Sequence, residues 1–174
     1  LVMVYGMHSI HHCEVLNNMD KVIQVKDLQV SFRTNNGIVK AVRGISFDLY
    51  RGETLAIVGE SGSGKSVTTR AIMGILANNG FIENGEILYG GKDLTKYTED
   101  EFNQIRGDKI GIIFQDPLSS LNPIMKVGKQ LTETMVLKLG MDKNEAKAKA
   151  IELMREVGIP EPEKRYYQYP FQFS

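Results

Sequence analysis

The stretch that decides the fold reads Thr54-Leu55-Ala56-Ile57-Val58, followed by Gly59-Glu60-Ser61-Gly62-Ser63-Gly64-Lys65-Ser66-Val67. Its first part is short and mostly apolar, which predicts a buried β-strand over 54–58. Its second part matches the pattern G-x-x-x-x-G-K-[S/T], and apolar residues at helical spacing then predict a helix over 66–76. A strand, a glycine-rich loop and a helix in this order predict a phosphate-binding loop.

Each residue type in this loop has a chemical reason. Glycines let the backbone curl around phosphate oxygens with its N–H groups pointing inward. The helix that follows directs the positive end of its dipole to the same anion. Lys65 can reach the β- and γ-phosphates of a nucleotide, and the hydroxyl of Ser66 can coordinate Mg²⁺. We therefore expect the run from Gly59 to Val67 to bind nucleotide, with Ser66 as a metal ligand.

The loop alone does not choose among ATPases, GTPases and small-molecule kinases, which all use it. These enzymes need a second, acidic group that holds Mg²⁺. Residues 109–114 predict another apolar strand, and Asp116 follows directly behind it. No Asn-Lys-x-Asp stretch that would read guanine occurs in the sequence, which disfavours a GTPase. A compact kinase that uses Asp116 for magnesium stays open at this point.

Composition narrows the class of protein. The 174 residues are enough for one domain, or for one domain and a small subdomain. Apolar residues make up 42% and charged residues 24%, which excludes collagen-like and wholly disordered chains. The formal net charge of zero gives no general attraction to nucleic acid or to an anionic membrane. No apolar run approaches the roughly 20 residues that span a bilayer, so we expect a soluble chain.

The first eighteen residues look foreign to the rest of the chain. They hold His8, His11, His12 and Cys13, whose side chains are zinc ligands but lack a matching second ligand pair. Met19 reads as a native start, so residues 1–18 are interpreted as a tag or an extension. As the only cysteine, Cys13 also excludes an intrachain disulfide.

The remaining sequence predicts a β-rich part followed by a helical part. Strands are expected over 22–32, 38–42, 45–49 and 85–89, and a short helix over 98–106 opens with Thr98 and Glu101 at capping-box spacing. Two prolines mark a loop over 116–123, and further helices are expected at about 127–139 and 143–157. We therefore expect a nucleotide-binding core over 19–116 and a helical subdomain over 117–174.

Two more motifs make residues 22–174 resemble the ATP-binding subunits of ABC transporters. Phe114-Gln115-Asp116-Pro117 resembles the family's Q-loop. This resemblance implies that Gln115 contacts Mg²⁺ and the attacking water, and that it senses a transmembrane partner. Phe32, just before the predicted hairpin turn, resembles the A-loop aromatic residue that stacks on adenine. The family usually has tyrosine there, and phenylalanine keeps the ring face on which a base can stack.

Three stretches narrow the resemblance to the ATPases of oligopeptide and dipeptide importers. They are the phosphate loop over 59–66, the loop over 116–123, and the run over 169–174 that leads into the group's signature. Ser174 would be the first residue of that Ser-Gly-Gly signature, which faces ATP across a dimer. The resemblance therefore implies a domain that is incomplete at its C-terminal end.

The resemblance also implies a fold, cofactors and partners. The fold is an α/β P-loop core, that is, an ABC-type nucleotide-binding domain, with an N-terminal antiparallel β subdomain and a partial helical subdomain. The implied cofactors are ATP and Mg²⁺. The implied partners are transmembrane permease subunits, contacted through the loop after Gln115, and a second ATP-binding subunit. Nucleic-acid binding and direct membrane insertion are not expected.

In its full form the implied protein lies on the inner face of the plasma membrane and couples ATP hydrolysis to peptide import. The family's magnesium-binding aspartate, catalytic glutamate and switch histidine have no counterpart in this sequence, so we expect residues 1–174 to bind nucleotide without turning it over. Two alternatives stay open: another P-loop enzyme that uses Asp116, and a catalytically inert truncated product.

Overall fold

The computed structural model describes residues 21–114, 116 and 120–173. The predicted histidine–cysteine cluster, Gln115 and Ser174 lie outside the described residues. The chain forms two compact units, one up to Ile113 and one from Phe114 onward.

An antiparallel sheet of four strands makes up most of the first unit. The strands are β1 (Lys21–Thr34), β2 (Gly37–Tyr50), β3 (Gly80–Tyr89) and the short β4 (Lys92–Asp93), in the order β2-β1-β3-β4. The strand predicted over 22–32 and the turn behind it are confirmed. The two strands expected over 38–42 and 45–49 are instead one strand, which pairs with β1 through several register shifts.

The register shifts between Val25 and Gln29 of β1 coincide with backbone of positive φ in all three long strands. Asp27 of β1 has φ +44°, Gly44 of β2 has φ +93° and Gly85 of β3 has φ +101°. The amide of Asp27 donates to Ser46 Oγ at 2.8 Å, and Asn84 Nδ2 donates to the carboxylate of Asp27 at 2.7 Å. β2 is therefore bent at Gly44 but not interrupted, because side chains on neighbouring strands hold the irregular backbone.

Two helices cover one face of this sheet. They are α1 (Lys65–Ile72) and α2 (Glu99–Ile105), and the buried core between the elements contains Ile23, Val25, Leu28, Val30, Ile87, Ala71, Ile72 and Phe102. The capping box predicted at the start of α2 is confirmed, because Thr98 and Glu101 exchange both hydrogen bonds. Helix α1 is shorter than the expected 66–76, because Gly74 turns the chain away with φ +64°.

The strands predicted over 54–58 and 109–114 are wrong. Neither segment is a strand of the sheet formed by the described residues. Val58, expected to be buried, is 91% exposed, and Ile113 is 62% exposed. Such strands are stable only with hydrogen-bonded neighbours and covered faces, and the part of the chain that the structure describes supplies neither. Ile110 alone is buried, in an isolated bridge to Arg106.

The second unit is helical, as predicted. It contains α3 (Val127–Leu137), α4 (Lys143–Glu156) and the single turn α5 (Pro162–Arg165). Asp142 caps α4 by accepting from the amide of Asn144 at 2.8 Å. Small residues on α4 pack closely, and Ala146 and Ala150 are fully buried.

Among the described residues, every helix is too short or too polar to cross a membrane.

Candidate functional site

The glycine-rich loop carries the chemistry that the sequence predicts. Gly62 and Gly64 have φ +82° and +91°, the left-handed conformation in which glycine is unstrained. Gly64 is the N-cap of α1, and among the described residues this end of the helix has no side-chain cap hydrogen bond. Ser66 in the first turn is exposed, and that turn contains no acidic residue. The positive end of α1 is therefore accessible to an anion.

Lys65 holds the loop in its curled shape. Its Nζ atom donates to the carbonyl oxygens of Gly59 at 2.7 Å and Glu60 at 2.5 Å. A third, longer contact of 3.2 Å joins Nζ to Ser63 Oγ. An ammonium group has three donors, so two are used to close the loop and the third points at a hydroxyl. A phosphate oxygen can replace the Ser63 hydroxyl without opening the loop.

The loop is fixed to the sheet at Gly64. A Cβ placed on Gly64 would lie 2.7 Å from the carbonyl oxygen of Ala41 and 3.2 Å from Cγ2 of Val42. These two β2 residues were missed by sequence reasoning, because only the folded chain brings them to the loop. Gly62 differs, since a Cβ there would meet nothing within 4 Å. Glycine is thus needed at 64 for both packing and conformation, and at 62 for conformation alone.

Two threonines stabilise the start of α1 from inside. Thr68 Oγ1 donates to the carbonyl oxygen of Gly64 at 3.1 Å, and Thr69 Oγ1 donates to that of Ser66 at 3.1 Å. Both threonines are buried. Their bonds go to carbonyl oxygens and leave the amides of the first turn for a ligand.

Phe32 lies on β1 and packs against the sheet. Its strand neighbours are Val39 on β2 and Gly80 on β3, and a Cβ on Gly80 would lie 2.7 Å from the phenyl ring. The ring is half-buried against the hydrophobic core. Val39 precedes Val42 by three residues, about 10 Å along a strand, so Phe32 and the loop share one region of the sheet. Adenine stacking by Phe32 stays a prediction.

Gln115 and Asp116, the predicted site residues behind the segment 109–114, stay predictions. Gln115 lies outside the described residues, and Asp116 belongs to the second unit, where its carbonyl oxygen accepts from Ser120 Oγ at 3.0 Å. Among the described residues, no group of three His, Cys, Asp or Glu side chains could hold a metal ion. Ser66 is the predicted metal ligand that the structure describes. Its exposed hydroxyl is an oxygen ligand of the kind that magnesium takes together with phosphate oxygens.

Arg106 was also missed. It follows α2 directly and reaches the far end of α1, where its guanidinium donates to the carbonyl oxygens of Met73 and Gly74, both at 2.9 Å. Its hydrogen bond to Glu99 lowers the pKa of that carboxyl. A basic residue placed just after a capped helix is the only signal in the sequence that could have drawn attention to it.

The comparison with protein families decides the family. The protein-family model described as "ABC transporter" matches residues 42–174, which include the whole phosphate loop. This chain belongs to the ABC transporter family. It is 54% identical over 155 residues to the oligopeptide transport ATP-binding protein OppD of Bacillus subtilis, covering 88% of this chain and 43% of that protein. It is 51% identical over 156 residues to the dipeptide transport ATP-binding protein DppD of Lactococcus lactis, covering 89% and 45%.

Solved structures of ABC family members agree with the fold. With a TM-score of 0.71 and 20% identity, the chain is similar to a dimeric post-hydrolysis state of an ATP-binding cassette bound to ADP and Pi, covering 87% of this chain and 63% of that one. The predicted α/β cassette fold is therefore confirmed. The chain spans less than half the length of the two curated relatives.

Proposed function

We propose that this chain is the nucleotide-binding part of an ATP-binding subunit that serves an importer of oligopeptides or dipeptides. The names of the two relatives support the transport role. Each relative aligns with nearly nine-tenths of this chain, and more than half of the aligned residues are identical. These names favour the transport role over the compact kinase that would use Asp116. The observation that supports nucleotide binding is the phosphate loop itself, which Lys65 closes beside the uncapped N-terminal end of α1.

The proposed binding mode follows from the loop's geometry. Phosphate oxygens accept from backbone amides in the run from Gly59 to Val67, and Lys65 turns its third donor from the Ser63 hydroxyl to them. Ser66 holds Mg²⁺, which, when bound, neutralises charge on the β- and γ-phosphates. Phe32 offers its ring face to adenine. Glycine at 62 and 64 keeps this cradle formed before the nucleotide arrives, which reduces the entropy lost on binding.

The remaining roles belong to the complete subunit. We propose that Gln115 contacts Mg²⁺ and the attacking water there, and that the loop behind it contacts transmembrane permease subunits. Two ATP-binding subunits would then act as a dimer on the inner face of the membrane, with ATP hydrolysis coupled to peptide import. Residues 1–174 alone are proposed to bind Mg-ATP weakly and not to hydrolyse it.

Titration of Mg-ATP into the wild-type chain and the Lys65→Ala variant tests this proposal. Loss of a charge-assisted contact predicts an affinity lower by about 10- to 100-fold. Lys129→Ala is the matched control, because Lys129 is an exposed lysine near the start of α3. Equal dissociation constants for wild type and Lys65→Ala would refute the assignment of the phosphate loop. An equal loss in both lysine variants would show that only general positive charge matters.

A further inference from the structure

Two sets of hydrogen bonds satisfy carbonyl groups at the C-terminal end of α1. The first is a Schellman motif, in which the amides of Ile75 and Gly74 donate to the carbonyl oxygens of Arg70 and Ala71 at 2.9 and 3.1 Å. The carbonyl groups of Met73 and Gly74, further along the same turn, need other partners. The neighbouring backbone does not supply these partners. A side chain 33 residues after Met73 supplies them.

Arg106 is that side chain. Its Nε atom donates to Met73 O and its Nη2 atom to Gly74 O, both at 2.9 Å, so one planar group binds two adjacent carbonyl oxygens. The side chain is only 18% exposed. A cation at this end of a helix also interacts favourably with the negative end of the helix dipole.

Arg106 is itself held in place from two directions. Glu99 of α2 accepts from Nη1 at 2.6 Å and from Nη2 at 3.3 Å. The ring of Phe102 lies under the guanidinium, 4.6 Å from its carbon atom. The same ring packs on Gly74, where a Cβ would come within 2.5 Å of it. The orientation of Arg106 is therefore fixed by α2, a helix whose own start is locked by a capping box.

Helix α1 connects this contact to the phosphate loop. From Lys65 to Met73 it extends about 12 Å, a length over which a helix is stiff. Gly64, directly before the helix, packs on β2, and Met73 and Gly74, directly after it, accept hydrogen bonds from Arg106. The helix is thus held at both ends, and a shift at its C-terminal end displaces the amides and the lysine at its N-terminal end.

We infer that Arg106 is a positioning residue for the phosphate loop: by binding Met73 and Gly74 it fixes α1, and through α1 the geometry of residues 59–66. The inference rests on the proposed function, since it assigns Arg106 to the same nucleotide site. Arg106 touches no residue of the loop directly. Its effect on nucleotide affinity comes from where it holds the helix.

Binding and exchange measurements on two variants test the inference. Arg106→Met removes both carbonyl contacts and the ion pair, whereas Arg106→Lys keeps the charge but replaces the planar guanidinium, which binds the two carbonyl oxygens and Glu99 together, with a compact ammonium group. Arg70→Met is the matched control, because Arg70 lies in the last turn of α1 and is exposed. We expect the dissociation constant for Mg-ATP to rise about 3- to 30-fold in Arg106→Met, less in Arg106→Lys, and not in Arg70→Met.

Amide hydrogen exchange separates positioning from general stabilisation. We expect faster exchange over residues 59–72 in Arg106→Met, with exchange in the sheet strand β1 unchanged. Unchanged nucleotide affinity in both Arg106 variants, or equally faster exchange in β1 and α1, would overturn the inference. If Arg106→Met does not fold, Arg106→Lys decides by the same two criteria. Failure of the wild-type chain to bind Mg-ATP would overturn the proposed function, and exchange over 59–66 would still decide whether Arg106 holds the loop.

Discussion

Strand β1 and the segment 54–58 both contain several branched apolar side chains, and these side chains have opposite environments in the folded chain. Leu28 and Val30 of β1 are completely buried, whereas Val58 is 91% exposed. β1 pairs with β2 across a tight turn and with β3 on its other side. The segment before the loop belongs to no sheet among the described residues.

The difference shows that an apolar run becomes a strand only where a partner is available. A hairpin supplies its partner within a few residues, so β1 and β2 are specified by local sequence. A strand leading into a phosphate loop depends on neighbours distant in sequence. The loop itself keeps its shape because its contacts are local or made to β2, and they do not require the segment 54–58 to be buried.

Matched isoleucines give the largest expected contrast between these regions. Ile87 in β3 is fully buried and Ile113 is 62% exposed. Ile87→Ala should lower the free energy of unfolding by about 2–5 kcal/mol, because it leaves a cavity in the core. Ile113→Ala should change it by less than about 0.5 kcal/mol. Urea unfolding followed by circular dichroism measures both, and similar losses would mean that residues 110–113 are part of a buried sheet.

Matched glycines test the contact between the loop and the sheet. Gly64→Ala should destabilise the chain by more than about 2 kcal/mol, because strain at positive φ adds to a clash with Ala41. Gly62→Ala should cost about 1 kcal/mol from strain alone. Thermal unfolding of both variants gives the difference. Equal costs would show that the loop is not packed against β2.

A smaller effect is expected when low pH protonates Asp93 on the edge strand β4. Burial by itself raises the pKa of Asp93, and hydrogen bonds from Lys96, Thr95 and the amide of Ile87 outweigh it, so the pKa lies below its ordinary value. The ionised carboxylate therefore stabilises the fold above the ordinary aspartate range, and this contribution is lost as the pH falls through and below about 4.

Asp93→Asn makes this contribution measurable. The variant should lose about 1 kcal/mol of stability near neutral pH, and its free energy of unfolding should depend less on pH in the acid range. Denaturant unfolding between pH 3 and pH 7 compares it with the wild type. A parallel pH dependence in both proteins would show that Asp93 keeps an ordinary pKa in the folded chain.

Features with local causes were predictable from the sequence. The capping box of Thr98 and Glu101, the turn before Gly37 and the helices of the second unit need only neighbouring residues to form. The phosphate loop belongs to the same class, because Lys65 binds carbonyl oxygens five and six residues away.

Features with distant causes were not predictable. The exposure of 54–58 depends on which strands are available to it, and the end of α1 depends on the turn at Gly74. The contacts of Gly64 with Ala41 and of Arg106 with Met73 join residues that are far apart in sequence. No periodicity or motif marks such pairs, because they are set by tertiary packing.

Backbone amide signals of the phosphate loop test the central claim most directly. We predict that titration of Mg-ATP into the ¹⁵N-labelled chain shifts the amide signals of Gly62, Gly64 and Ser66 together, with one dissociation constant, and that adenosine does not shift them, because it carries no phosphate. Lys65→Ala should weaken the same shifts. Mg-ATP that leaves these amide signals unchanged, or adenosine that shifts them equally, would contradict the account.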